Sequence, residues 1–190
     1  MKTPDGRLLW VGKNHGSVPD EEEGIHCYEI HNNHTFTKIS TVVHASDYEN
    51  TFCEPHCLAL DEKHFLCLIR VQGDCFTVYQ SESHDGGISW SDPVNLGVDG
   101  SPPHLLSCSN GLLVSAYGKR TEPFGISAMV SDDSGKSWHT ELPLVRDCPD
   151  PDLGYPCSVE LDDSSIFTVY YAKPAPGEVP GIQYVRWSIT

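Results

Sequence analysis

Apolar residues in this chain come in short runs separated by Gly, Asp, Asn and Pro. Through the middle of the sequence, runs rich in Val, Ile, Leu, Tyr and Phe cover His56 to Leu60, His64 to Arg70, Cys75 to Glu82 and Ser89 to Leu96. Runs of this length and composition, bounded by turn formers, predict β-strands. No stretch sustains the 3.6-residue periodicity of an amphipathic helix.

The strands belong to a repeat. Ser83-His84-Asp85-Gly86-Gly87-Ile88-Ser89-Trp90 matches Ser131-Asp132-Asp133-Ser134-Gly135-Lys136-Ser137-Trp138 on the template S-x-D-x-G-x-S-W, and the copies lie 48 residues apart. The preceding strand keeps the same offset, His56 to Leu60 against His104 to Cys108. A third copy starts at Cys157 without the octapeptide. A decayed fourth lies at the N-terminus, with His34-Thr35-Phe36 as the octapeptide remnant. Strand, turn, strand, loop, strand, octapeptide, strand is the plan of a β-propeller blade. Within the octapeptide, Asp accepts backbone N–H bonds, Gly supplies φ > 0 and Trp packs between sheets. Its role is structural.

Strand order predicts which residues share a face. The first strand of a blade runs away from one mouth and the second returns to it. Glu54 precedes a first strand and Arg70 ends a second. Tyr117, Lys119 and Arg120 follow the next second strand, and Tyr155 precedes the first strand of the third copy. Glu54, Arg70, Arg120 and Tyr155 are therefore expected at one mouth, with Tyr170 and Tyr171 near it and the octapeptides at the other end. Lys13, His15 and Asp99 are further mouth candidates. Taken singly, the arginines read first as rim salt bridges and Glu54 as a solvated turn residue, while Tyr155 reads equally as a core tyrosine; it is the four positions together, in this order, that point to a site. His56 and His104 recur at equivalent positions, which suits a channel-lining or structural role as well as a substrate contact.

The octapeptide resembles the Asp-box, or BNR, repeat of sialidases. The segments Glu54-Pro55-His56, Gly100-Ser101-Pro102-Pro103-His104-Leu105-Leu106 and Asp152-Leu153-Gly154-Tyr155-Pro156 look like bacterial exo-α-sialidase-like proteins. That resemblance implies an all-β, six-bladed propeller, of which a single domain of residues 1–190 covers about four blades, near 1–50, 51–100, 101–150 and 151–190. It implies Tyr155 as nucleophile and Glu54 as its general base, with Arg70 and Arg120 clamping the substrate carboxylate. His56, Tyr117 and His104 join them as substrate-binding residues. The residue types suit the chemistry. Guanidinium groups bind carboxylates through paired, charge-assisted bonds. A neutral tyrosine approaches an anionic anomeric centre more easily than a carboxylate would. The implied substrate is a sialylated glycan or related anionic sugar, and neither metal nor organic cofactor is implied. The family's first clamp arginine and aspartic acid catalyst have no clear counterpart: Arg7 is expected at the octapeptide end, and Asp20 and Asp47 lie in loops. A non-catalytic glycan-binding propeller, an inactive truncated homologue and a scaffold are therefore the competing readings. Open propeller edges would also invite self-association.

Composition narrows the partners. Lys plus Arg total 12 against 27 Asp plus Glu, for a formal net charge of −15 in 190 residues. A surface so acidic neither reads nucleic-acid phosphates nor adheres to anionic membranes. The N-terminus lacks an apolar signal core, so the expected location is the cytoplasm. Eight cysteines in a chain of this length are expected as free thiols. Cys53 and Cys57 with His56 between them lack a second ligand pair at finger spacing, which makes zinc there a weak reading.

Overall fold

The computed structural model describes residues 1–15, 22–32, 35–73 and 76–189. Fourteen strands and a short 3-10 turn at Ala45–Asp47 make the described chain all-β. β1 (Leu9–Asn14), β2 (Gly24–His31) and β3 (Thr35–His44) form one sheet, in that order. The next is β4 (Thr51–Ala59), β5 (Phe65–Gln72), β6 (Thr77–Ser83) and β7 (Val94–Asp99). β8 (Pro103–Ser107), β9 (Leu113–Lys119), β10 (Gly125–Ser131) and β11 (His139–Val145) make the third. β12 (Gly154–Glu160), β13 (Ile166–Ala172) and β14 (Gly181–Trp187) make the fourth. Sequence neighbours pair antiparallel within each sheet. Among the described residues no helix is long and apolar enough to cross a membrane.

The chain divides into two compact units. Residues 1–75 and 79–96 make the first, and residues 76–78 and 97–190 the second. In the first, Leu9, Ile25, Cys27, Phe65, Cys67 and Ile69 form the core. In the second, one cluster gathers Val114, Ala128 and Ile166, and another Ile126, Leu153, Tyr170 and Ala172. β5 is buried from Phe65 to Val71, as a strand covered on both faces must be.

Both octapeptides connect the third and fourth strands of their sheets, and each template residue has a task. Ser83 Oγ accepts the Gly87 N–H at 2.8 Å and donates to Asp85 Oδ1 at 2.9 Å. Asp85 Oδ1 also takes the N–H groups of Ile88 and Ser89, and Ser89 Oγ donates to Oδ2 at 2.6 Å. Ser131, Asp133, Gly135 and Ser137 repeat the pattern. Gly87 has φ +90°, and a Cβ there would stand 3.2 Å from the Phe65 ring. Trp90 Nε1 donates to Ser40 Oγ on β3, tying the turn to the neighbouring sheet of its unit. Thr35 and Phe36 of the proposed N-terminal remnant start β3, while His34 lies outside the described residues, as do Asp20 and Cys75.

Strand boundaries differ from expectation at several places, among them β12, which starts at Gly154 and takes in Tyr155, and β9, which runs through Tyr117 and Lys119. β7 starts at Val94, not Ser89, because Ser89 is still held by the Asp85 carboxylate. β4 starts at Thr51, so Glu54 lies inside it. Its pairing with β5 jumps from Cys53↔Arg70 to His56↔Leu68 across a bulge at Glu54-Pro55. Proline has no N–H to give the ladder, and the strand resumes beyond it.

Candidate active site

Each unit carries one cluster of candidate residues. In the first, the bulge turns Glu54 to φ +48°, and Arg70 Nη1 donates to Glu54 Oε2 at 2.8 Å. Arg70 is 7% exposed. A buried guanidinium needs its counter-charge, so the pair fixes the carboxylate's position. Beside it opens a groove of about 460 Å³ whose lining includes Lys13, His15, Cys53, Glu54 and Gln72. Lys13 also pairs with Glu23 at 3.3 Å. Arg7, at the other end of the unit, bonds Asp5 and the carbonyl of Gly86 in the octapeptide turn. His56 is half-buried on β4.

In the second unit, β12 repeats the bulge. Its pairing with β13 jumps between Gly154 and Cys157, across Tyr155-Pro156, and Tyr155 has φ +47°. Glu54 and Tyr155 thus occupy corresponding bulges in their sheets, each followed by proline. Left-handed backbone at residues other than Gly, Asn or Asp is uncommon, and such positions gather at functional sites. Tyr155 is 51% exposed. The Arg120 guanidinium stands 5.9 Å from its ring centroid, and the Tyr171 ring lies 6.0 Å away. Arg120 Nη2 donates to the Tyr171 hydroxyl at 3.3 Å, which donates to Asp152 Oδ1 at 3.0 Å. Arg120 Nε is buried and lacks a partner among the described residues. Burial and the bond to Asp152 push the Tyr171 phenol upward, against the pull of Arg120. Lys173 closes the chain by pairing with Asp150 at 2.6 Å, which holds the Asp150 carboxyl below its ordinary range.

Glycines permit this approach. A Cβ on Gly118 would stand 3.0 Å from Gly154 Cα and 3.0 Å from Ser101 O. One on Gly154, at φ +126°, would stand 3.4 Å from Arg120 Nη2. Backbones from β9 and β12 come close enough to set Arg120 beside Tyr155 because neither glycine carries a side chain.

Other candidates fall elsewhere. Tyr117 is buried at 1% exposure, packed under Gly100, and burial lifts its phenol to about 12. It supports the wall and offers no surface to a ligand. Tyr170 points into the core and donates to Gln183. His104 Nδ1 accepts the Ser158 N–H at 3.3 Å, and its Nε2 lies 3.4 Å from Cys157 Sγ, so it stitches β8 to β12. Asp99 accepts a bond from Thr121. Sequence reasoning gave no role to Asp152. Its signal was position, three residues before Tyr155 in an acidic turn.

The BNR repeat-like domain profile matches residues 1–168, and the chain belongs to that family. It resembles solved structures across its full length. A protein of unknown function from Dyadobacter fermentans superposes with a TM-score of 0.87 at 24% identity, covering 100% of this chain and 52% of that one. An α-L-arabinanase from Penicillium chrysogenum, complexed with arabinobiose, gives 0.71 at 20% identity, with 100% and 61% covered. A NanB sialidase variant from Streptococcus pneumoniae gives 0.64 at 12%, with 98% and 30% covered. The chain thus spans about half to three-fifths of the first two. At these identities the likeness is one of fold. No curated protein matches.

Proposed function

We propose that the protein is a glycoside hydrolase of the exo-α-sialidase type, built on blades of a six-bladed propeller, that acts on glycans ending in an anionic sugar. The supporting observation is the pair of matching bulges: the residues named for attack and for proton transfer, Tyr155 and Glu54, share a left-handed bulge conformation, and each has an arginine beside it. In this reading Arg70 and Arg120 bind the substrate carboxylate. Tyr155 Oη forms a bond to the anomeric carbon as the bond to the aglycone oxygen breaks, the phenol proton passes to Glu54, and the aglycone leaves as an oxyanion that takes its proton from solvent, which suits good leaving groups. Water then attacks the anomeric carbon and gives up a proton to solvent, the tyrosyl bond breaks and Glu54 returns its proton to the Tyr155 phenolate. Two displacements give retention of configuration. Neither step requires a metal. The reading requires Glu54 and Tyr155 to act on one sugar. A double-mutant cycle with Glu54→Gln and Tyr155→Phe tests that: strongly non-additive losses in kcat/KM support it, and additive ones refute it.

A second reading has its own support. Arg7 is committed to Asp5 and the octapeptide turn, so it does not join Arg70 and Arg120 on the carboxylate, and an incomplete catalytic set favours a glycan-binding module. Fluorophore release from an α-sialoside with a good leaving group, beside the matching α-L-arabinofuranoside, separates these. The proposal expects turnover of the sialoside that disappears in Tyr155→Phe. Sialic acid binding without turnover selects the binding module, and turnover of the neutral sugar alone refutes the anionic specificity.

A further inference from the structure

At the octapeptide end of the first unit, away from Glu54, three side chains from different segments meet. His64 stands just before β5, Glu82 lies near the end of β6, and His84 is the second residue of the octapeptide. His64 Nε2 is 2.8 Å from Glu82 Oε2, and His84 Nε2 is 3.5 Å from the same oxygen. The three donor atoms all lie within 4.8 Å of one another, and the imidazole rings stand 4.5 Å apart. We propose that His64, Glu82 and His84 bind a single divalent transition-metal ion of the zinc class.

The donor set fits such an ion. Two imidazoles and one carboxylate are borderline-soft ligands that suit zinc, whereas calcium and magnesium prefer all-oxygen shells. Zinc bonds of about 2.0 to 2.2 Å in tetrahedral geometry place ligand atoms roughly 3.3 Å apart. The 2.8 and 3.5 Å separations from Glu82 Oε2 straddle that value, so small side-chain rotations suffice. A supporting layer is in place. Gln80 Nε2 donates to Glu82 Oε1 at 2.9 Å and leaves Oε2 toward the histidines. Asp61 Oδ1 takes the N–H groups of Lys63 and His64 at 2.7 Å each, which fixes the turn carrying His64. The backbone at His84 is anchored on both sides by the Ser83 and Asp85 bonds of the octapeptide. Asp61 adds negative charge near both imidazoles, and the whole chain carries −15. His84 has a side chain 71% exposed, so solvent reaches the remaining coordination position. An ion here would clip β5, β6 and the octapeptide turn together and stabilise the folded state by mass action. Spacings of eighteen and two residues match no short metal motif, which is why the trio is invisible in sequence.

The test uses the purified, metal-free full chain. Zinc chloride is titrated calorimetrically, and Co²⁺ replaces it for visible spectroscopy. The expected result is one ion per chain with Kd of about 10 µM or tighter, weakened about 100-fold or more in His84→Ala. His84 is exposed, so that variant keeps its fold. Glu82→Gln, which preserves shape and the Gln80 contact, weakens binding as well. The Co²⁺ spectrum shows tetrahedral absorption without a thiolate charge-transfer band, and affinity falls as pH drops below neutral. An absence of binding at 1 mM zinc, affinity unchanged in His84→Ala, or a thiolate band that assigns the ion to cysteines would each overturn the proposal.

Discussion

Substituting Gly100 by alanine asks whether Tyr117 is a wall or a ligand contact. The added Cβ would stand 2.0 Å from Tyr117 Cδ2, 2.6 Å from Cε2 and 2.9 Å from Cγ. Ordinary carbon contacts lie near about 3.5 Å, so the ring must retreat by roughly 1.5 Å. It is 1% exposed, in an interior without spare volume. The backbone cannot yield instead. Gly100 N donates to Phe76 O at 2.7 Å, and the next residue, Ser101, donates its N–H to Gly118 O at 2.9 Å. Overpacking of this kind costs about 3 kcal/mol, the upper part of its usual range. For a chain of this size that lowers Tm by about 6 to 12 °C. Urea and thermal unfolding measure it, with Gly111→Ala as control. Gly111 has φ +88° and nothing near its Cβ, so only backbone strain of about 1 kcal/mol is expected there. The double variant Gly100→Ala, Tyr117→Ala should be less destabilised than the sum of the singles by about 2 kcal/mol or more. A Gly100→Ala protein within about 0.5 kcal/mol of wild type, or an additive double variant, would refute the packing account.

Asp85 and Asp133 are each lowered from 3.8 to about 2, first by the serine hydroxyls of their octapeptides. Folded values below unfolded ones mean stability that is full above pH 4 and lost as pH falls toward 2. Acid unfolding should therefore shift to higher pH in Asp85→Asn, and an unshifted acid transition refutes this. Glu54→Gln replaces a charged partner of the Arg70 guanidinium with a neutral one, and urea unfolding should show a loss of about 1 to 3 kcal/mol, discounted because Glu54 is partly exposed. Tyr171→Phe removes the hydroxyl between Arg120 and Asp152. Binding of a sialic acid carboxylate should weaken about five- to thirty-fold by calorimetry while Tm changes little, and unchanged affinity would separate Arg120 from the ligand.

Local chemistry was legible in sequence. The octapeptide's Ser, Asp and Gly act on atoms within six residues of themselves, so its place between third and fourth strands could be read directly. Lys13 and His15, named in sequence only as mouth candidates, line the groove beside Glu54. What escaped depends on register and packing. Glu54 and Tyr155 sit within their strands because proline-containing bulges let pairing resume on both sides. Tyr117 is interior because Gly100 yields its space to the ring, a contact across seventeen residues that no periodicity reveals. Asp152 gained a role only through the Tyr171 hydroxyl.

The most direct test of the proposed chemistry is to trap the nucleophile. The protein is incubated with a fluorinated sialosyl fluoride, whose fluorine beside the anomeric centre slows breakdown of a glycosyl-enzyme, and then digested for mass spectrometry. The account predicts a sialosyl adduct on the peptide containing Tyr155, absent in Tyr155→Phe and slow to form in Glu54→Gln. An adduct on another residue, or turnover of an α-sialoside that persists in Tyr155→Phe, would contradict it.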